Sequence, residues 1–356
     1  MSASPYGYPR AVWRVTLDGR DVSTGMAPRL DNLAITECRG GEADQLDIVL
    51  HDNDGRLELP ARGVALRVFL GWQATGLVDK GTFIVDEVEY GGPPDQVTLR
   101  ARSADMASPL RTRNERSFHD KTIGEIVATI AKAHDLQPVV GKGFADVKVS
   151  HIDQTNESDV AFLNRIGRRY DAVATVKEGR LLFLAIDRGQ TASGKDMPTV
   201  ILSRADGDGF RFHVADRDAY TGVRAYWQDK AGGKRRSVVV GVIGNAKRMR
   251  PVFGSEQDAL DNARAEWQRI QRGTATLQFD LAYGRPELTP QTKIRFPAMK
   301  APMGEITWLI SRITHRLDEN GLTSSLEAET VEAVALQQEA DDAAASDDTA
   351  GDEPTA

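Results

Sequence analysis

The sequence predicts a mainly β protein with an α+β insertion, in which two related β-barrel domains flank a small α+β domain. Three observations lead there. Short runs of alternating apolar residues, separated by Gly, Pro, Asp and Asn, fill both ends of the chain. The period changes to that of amphipathic helices only in mid-chain and once more after Ser255. Two strand patterns, one near each end, repeat 225 positions apart.

Taken in order, Trp13, Val15 and Leu17 alternate with Arg14 and Thr16 and meet the turn Asp18-Gly19, as in a hairpin. Further strands are expected over 30–37, 45–50, 64–71, 83–90 and 97–101. Thr122 and Glu125 form a capping box ahead of the stripe Ile123, Ile126, Val127 and Ile130, so a helix starts there and ends before Pro138. Val139-Val140, the turn Gly141-Lys142-Gly143 and a strand over 147–152 follow.

Asn156 is the expected N-cap of a central helix, with Glu157 and Asp159 in a first turn where the helix dipole favours acids. Val160, Phe162, Leu163, Ile166 and Tyr170 form its apolar stripe, and Asn164, Arg165, Arg168 and Arg169 its polar face. Glycine in a helix costs about 1 kcal/mol against alanine, so Gly167 predicts the close approach of another backbone. The runs 172–176 and 181–186 are split by Lys177-Glu178-Gly179-Arg180, a hairpin turn with Gly179 at positive φ. After a polar loop over 189–198, strands are expected at 200–203, 210–214, 222–227 and 237–242. Ser255 caps a helix with the stripe Ala259, Leu260, Ala263, Trp267 and Ile270, ended by Gly273, and strands follow over 274–283, 293–296, 306–317 and 323–328. The expected domains are 1–111 (first barrel), 112–195 (α+β), 196–332 (second barrel with one inserted helix) and 333–356 (an acidic disordered tail).

The repeat is specific in its details. Gly55-Arg56-Leu57-Glu58-Leu59-Pro60 precedes Leu66-Arg67-Val68, as Gly284-Arg285-Pro286-Glu287-Leu288 precedes Ile294-Arg295-Phe296. The pairs Phe83/Val85 and Val88/Tyr90 are answered by Trp308/Ile310 and Ile313/His315, each 225 residues later. An odd step between two alternating pairs is what a β-bulge produces, so both strands are expected to bend there.

At 356 residues and 40% hydrophobic, the chain is long enough for several cores. No apolar run is long enough to span a bilayer, and the opening residues lack a basic start followed by an apolar core. The only cysteine, Cys38, excludes an intramolecular disulfide and a zinc–thiolate cluster, and fits folding in a reducing cytoplasm. From Glu339 the chain carries seven acids and no base, and the remaining 45 acids balance the 45 bases. The body is neutral, which disfavours a nucleic-acid function.

A search for chemistry nominates no catalytic, cofactor-binding or metal residue, and no cofactor. His51, His119, His134, His151, His213 and His315 show no paired-ligand spacing. Asp52-Asn53-Asp54-Gly55 fails as a calcium loop, because the first ligand position is Leu50 and the last is Ala61. Gly141-Lys142-Gly143 and Gly241-Val242-Ile243-Gly244 lack the rest of any phosphate-binding pattern. The basic clusters Lys234-Arg235-Arg236 and Lys247-Arg248-Met249-Arg250 have no aromatic residue interleaved in sequence and read as a solvated hairpin rim.

The Gly55–Pro60 block with Leu70-Gly71-Trp72, the run Gly81-Thr82-Phe83-Ile84-Val85-Asp86-Glu87-Val88, Asp153-Gln154 with Glu157-Ser158-Asp159 and Phe162-Leu163, Tyr170-Asp171-Ala172, and the closing Gly284-Arg285-Pro286-Glu287-Leu288 together resemble the late-control protein D family of contractile-tailed phages. The resemblance covers about 10 to 330, and D-Q-x-x-E-S-D-x-x-F-L is its most specific part. It implies a baseplate hub, similar to the N-terminal part of VgrG spike proteins. The expected assembly is a homotrimer with two barrels per chain, which adapts a six-fold tail tube to a three-fold spike. The implied partners are the tail tube protein, a separate spike protein, other baseplate components and the tape-measure protein, with no membrane and no specific nucleic acid. The implied location is the virion's tail baseplate, assembled in the bacterial host cytoplasm. A hub-associated cell-wall-degrading enzyme and the hub of a genome-free tailocin or toxin-delivery particle are the alternatives. The tail after 338 lies outside the resemblance, so deleting 339–356 is expected to leave melting temperature and assembly unchanged, as calorimetry and light scattering will read.

Overall fold

The computed structural model describes residues 9–104, 108–177, 179–186, 197–214, 220–229 and 232–331. The acidic tail and most of the expected loop over 189–198 lie outside them. The chain is mainly β, with several antiparallel sheets, as the alternation predicts.

Residues near the start form a first module whose strands lie in the order Leu30–Cys38, Gln45–His51, Gln96–Ser103, Gly76–Gly91, Ala65–Trp72, Ala11–Leu17. Leu33, Ile35, Leu46, Ile48, Val97 and Leu99 face its core, their neighbours in sequence point outward, and Cys38 is buried and unpaired. Asp18 and Gly19 take φ of +46° and +85°, the mirror-image turn that the Asp-Gly pair predicts. The last part of the chain forms a second module in the order Gly207–Val214, Ala275–Leu281, Gly321–Thr330, Trp308–Asp318, Lys293–Arg295, Val200–Ile201. Its core is built on Leu277, Phe279, Ile294, Phe296, Trp308 and Ile310. The ladder between Gly76–Gly91 and Gln96–Ser103 shifts register between Val85 and Glu87, and that between Trp308–Asp318 and Gly321–Thr330 shifts between Ile310 and Arg312. Both bulges fall where the odd steps place them.

The expectation of closed barrels is corrected. Among the described residues the two modules are continuous in one open 13-stranded sheet. The strand Leu30–Cys38 does not return to Ala11–Leu17. Its second edge pairs with Trp308–Asp318, Leu33 opposite Leu317 and Thr36 opposite Thr314, with a hydroxyl–hydroxyl contact of 3.0 Å between the two threonines. Leu317 and Leu322 of the second module are accordingly buried in the first module's core.

The α+β unit packs Ile123–Ala133 and Asp159–Tyr170 against the hairpin Ala172–Lys177 and Arg180–Ala185, with Gly179 at φ +71°. Thr122 and Glu125 make the expected capping box. The expected N-cap Asn156 is displaced: the strand Lys148–Ser158 runs on through an irregularity in which Asn156 takes φ +49°, and Ser158 caps the helix, accepting Ala161 N at 3.2 Å. A further expectation is redrawn beyond the helix. Gly222–Asp229, Lys234–Gly241 and Ala246–Phe253 form a three-stranded sheet of their own, which packs Val223 and Ala225 against Ala259 and Ala263 of the helix Glu256–Arg272.

Gly167 is where another backbone comes close, as its place in the helix predicts. A Cβ there would lie 2.6 Å from the carbonyl oxygen of Ala172. Gly167→Leu is expected to lower stability by about 1–3 kcal/mol through overpacking, read as a fall in melting temperature, and an unchanged melt would place Gly167 in open space.

Candidate functional site

The block Asp153-Gln154 to Phe162-Leu163 is the first place to look for function, and Asp153, Gln154, Glu157, Ser158 and Asp159 are all engaged by the fold. Gln154 is buried; its Nε2 donates to Glu157 O (2.9 Å) and Asp159 Oδ1 (2.8 Å), and its Oε1 accepts from Arg116 Nε (3.1 Å). Asp159 also binds the Arg116 guanidinium and lies 2.6 Å from His134 Nε2. Burial raises the Asp159 carboxyl, but the hydrogen bonds from His134, Gln154 and Arg116 outweigh it and hold the pKa below the ordinary carboxylate value. Glu157 pairs with Arg165, Asp153 accepts from Ser117 Oγ at 2.6 Å, and Phe162 stacks on Phe118. The motif clamps the helix Asp159–Tyr170 to the ladder of Arg113–Thr122 and Lys148–Ser158.

The closing block, Gly284 to Leu288, lies where the modules meet. Its backbone oxygens accept from the first module: Trp72 Nε1 reaches Gly284 O at 2.7 Å and Lys80 Nζ reaches Pro286 O at 2.9 Å. Trp72 stacks on Tyr283 with ring centroids 3.8 Å apart. Beneath lies a buried trio from three strands: Glu37 Oε2 is 2.5 Å from Lys80 Nζ and 3.3 Å from His315 Nε2. His315 Nε2 lies 3.3 Å from Glu37 Oε2, Leu288 O and Lys80 Nζ, and its Nδ1 is hydrogen-bonded with Ser324 Oγ at 2.7 Å. Burial pushes the His315 pKa down, so the ring is neutral; against burial, the His315 hydrogen bond and the Lys80 charge bring Glu37 to about 2.

A second cluster ties the α+β unit to both modules. Arg272, at the C-terminal end of Glu256–Arg272, forms a two-pronged pair with Asp171 (Nη1 to Oδ2, 2.5 Å) and donates Nε to Glu329 at 3.1 Å. Glu329 also takes Arg39, next to the strand Leu30–Cys38.

Elsewhere the structure brings together what the sequence keeps apart. Tyr226 lies between the guanidinium groups of Arg235 (4.7 Å) and Arg248 (4.8 Å), so the basic clusters are interleaved with an aromatic ring in space though not in sequence. The only cue is the period-2 pattern that makes their strands neighbours. His119 and His151 sit directly opposite on their ladder, Nδ1 to Nδ1 3.1 Å. Among the described residues no group of three or more His, Cys, Asp or Glu side chains converges as a metal site. Asp52 and Asp54 of the failed calcium loop are held by Arg29.

Buried polar side chains that lock modules together, in a mainly β chain, define a structural assembly protein. The chain belongs to the phage tail baseplate hub (GPD) family, whose model matches residues 45–321. It is 40% identical over 356 residues to the probable baseplate hub protein of Escherichia phage 186, covering 88% of this chain and 92% of that protein. It shares its fold with the 43 kDa tail protein of prophage MuSo2 from Shewanella oneidensis, at TM-score 0.65 and 16% identity over 89% of this chain and 98% of that one. It likewise shares its fold with a chain of the Francisella PdpA-VgrG complex, at TM-score 0.57 and 8% identity over 93% of this chain and 54% of that one. The family resemblance read from the motifs holds, and the protein is a baseplate hub of a contractile phage tail.

The buried His315 gives the hub a pH dependence of known sign. Its folded pKa lies below the free value of 6.5, so below pH 6.5 the unfolded chain takes up a proton that the folded chain refuses. Stability is then lost as pH falls from 6.5, by up to about 1.4 kcal/mol per unit. Denaturant titrations between pH 7.5 and 5 are expected to show this slope, and His315→Gln to flatten it.

Proposed function

We propose that the hub assembles as a homotrimer, in which two similar modules per chain present six units to a six-fold tail tube while the trimer as a whole receives a three-fold spike. The observation that carries this reading is the matching order of strands in the two modules, with bulges at Val85/Glu87 and Ile310/Arg312, 225 residues apart. Two modules that share strand order and the position of an irregularity, and differ in the sense of the outermost pair (antiparallel for Ala11–Leu17 with Ala65–Trp72, parallel for Val200–Ile201 with Lys293–Arg295), are best explained as diverged copies of one unit. The tube protein sits on one face of such a ring and a separate spike protein on the other, with other baseplate components and the tape-measure protein around the axis.

The division into 1–111, 112–195, 196–332 and a tail from 333 belongs to the same proposal and is supported by an apolar cluster centred in each folded part, although the first also takes in Leu317 and Leu322 and the third part has a further one around Val223 and Ala259. The hub acts without catalysis and without membrane or specific nucleic-acid contact; the engagement of the motif's polar side chains with one another supports this. Particles are assembled in the bacterial cytoplasm before the tail is complete.

Light scattering on the purified chain is expected to give three times the monomer mass, and a peptidoglycan turnover assay to give no product. A monomer or dimer at assembly concentrations overturns the trimer, and turnover that survives repurification overturns the non-catalytic reading.

A further inference from the structure

The two modules are alike in strand order but unlike in what covers their edges. In the first module both edges of Leu30–Cys38 are used, one by Gln45–His51 and the other by Trp308–Asp318. In the second module the strand in the same place, Gly207–Val214, pairs with Ala275–Leu281 and ends the sheet, with no strand on its other edge among the described residues. The receiving strands differ in the complementary way. Trp308–Asp318 pairs along Arg312 to Leu317 with Leu30–Cys38, whereas beyond Val85 the corresponding stretch of Gly76–Gly91 has no backbone partner on that side among the described residues. One edge that donates a strand and one that receives it are left over.

The ladders fix which residues correspond. Ala101 lies opposite Val85 and Ala328 opposite Ile310 at the two bulges. Leu46 pairs with Ala101 and Leu277 with Ala328; Ile35 pairs with Leu46 and Phe212 with Leu277. Phe212 therefore occupies the place of Ile35, and Tyr90 that of His315. Within the chain His315 sits opposite Ile35.

We propose that Gly207–Val214 of one copy adds antiparallel to the outer half of Gly76–Gly91 in the next copy, with Val88, Glu89 and Tyr90 opposite Val214, His213 and Phe212. The proposal rests on the trimer reading and names its interface. The residues suit the register. On one face Val88 meets Val214 and Tyr90 meets Phe212, pairs of the apolar kind that stabilise neighbouring strands. On the other, Glu89 meets His213 with Arg211 diagonal to it, which places opposite charges together. The large apolar residues left exposed also fit: Tyr90 is 52% exposed and Phe210 44%. Leu59 is 54% exposed, whereas Leu288, which holds its place in the repeated block, is buried beneath the intrachain junction. An uncovered sheet edge is an aggregation hazard, and pairing it with a copy removes the hazard. Because the contact is head-to-tail, it closes into a ring in which each chain supplies one internal junction and one external one.

Directly opposed residues in an antiparallel pair have Cα atoms about 4.5–5.5 Å apart, within reach of a disulfide. The test is the double variant Glu89→Cys with His213→Cys, oxidised mildly in the assembled state, where the native Cys38 is buried. The expected result is a covalent trimer on a denaturing gel, reversed by reductant, with neither single variant cross-linking. A trimer by light scattering that does not cross-link overturns the strand pairing and leaves the trimer standing. A chain that is no trimer overturns both, and covalent dimers from Glu89→Cys alone replace the head-to-tail contact with a symmetric one.

Discussion

One guanidinium holds the architecture together. Arg272 stands at the end of a helix, its charge favoured by the helix dipole, and reaches Asp171 behind the central helix and Glu329 in the last strand. Asp171 itself is the αL residue that ends Asp159–Tyr170, and Glu329 shares its carboxylate with Arg39 of the first module. Every folded part of the chain thus meets within one charge network, most of it out of water. Such a network adds little net stability compared with an apolar core, yet loss of one member leaves a buried charge unmatched, at about 3–5 kcal/mol. Its contribution is to fix how the parts are set against one another.

The motifs that identify the family take on a physical meaning in this light. Asp159, His134 and Arg116, far apart in sequence, here form a clamp between helix and ladder. The Gly284–Leu288 block lends its carbonyls to the other module.

Much of the fold was legible because alternation and capping are local. The hairpin at Gly179, the cap at Thr122 and both bulges follow from neighbours in sequence. What was not legible depended on partners far away. Arg113–Thr122 buries only Phe118 along its length, so no alternation marks it as a strand. Ala246–Phe253 is as polar and lies parallel to Gly222–Asp229. Ser158 displaced Asn156 as the cap because the preceding ladder continued further than local preference indicates. The open sheet in place of two barrels was decided by a pairing between residues some 280 positions apart, and the charged clusters lie between elements equally remote in sequence.

The trio Glu37, Lys80 and His315 bears on how alike the two halves of the chain can be. Backbones can repeat while the chemistry at their seams diverges, and at this seam the chain has placed an ammonium, a carboxylate and an imidazole that match only one another. The corresponding places on the outer edges hold Val214 and Tyr90, which offer that carboxylate and ammonium no partner. The seam inside the chain is therefore polar where the free edges are greasy, so the two halves stay distinguishable however closely their backbones repeat.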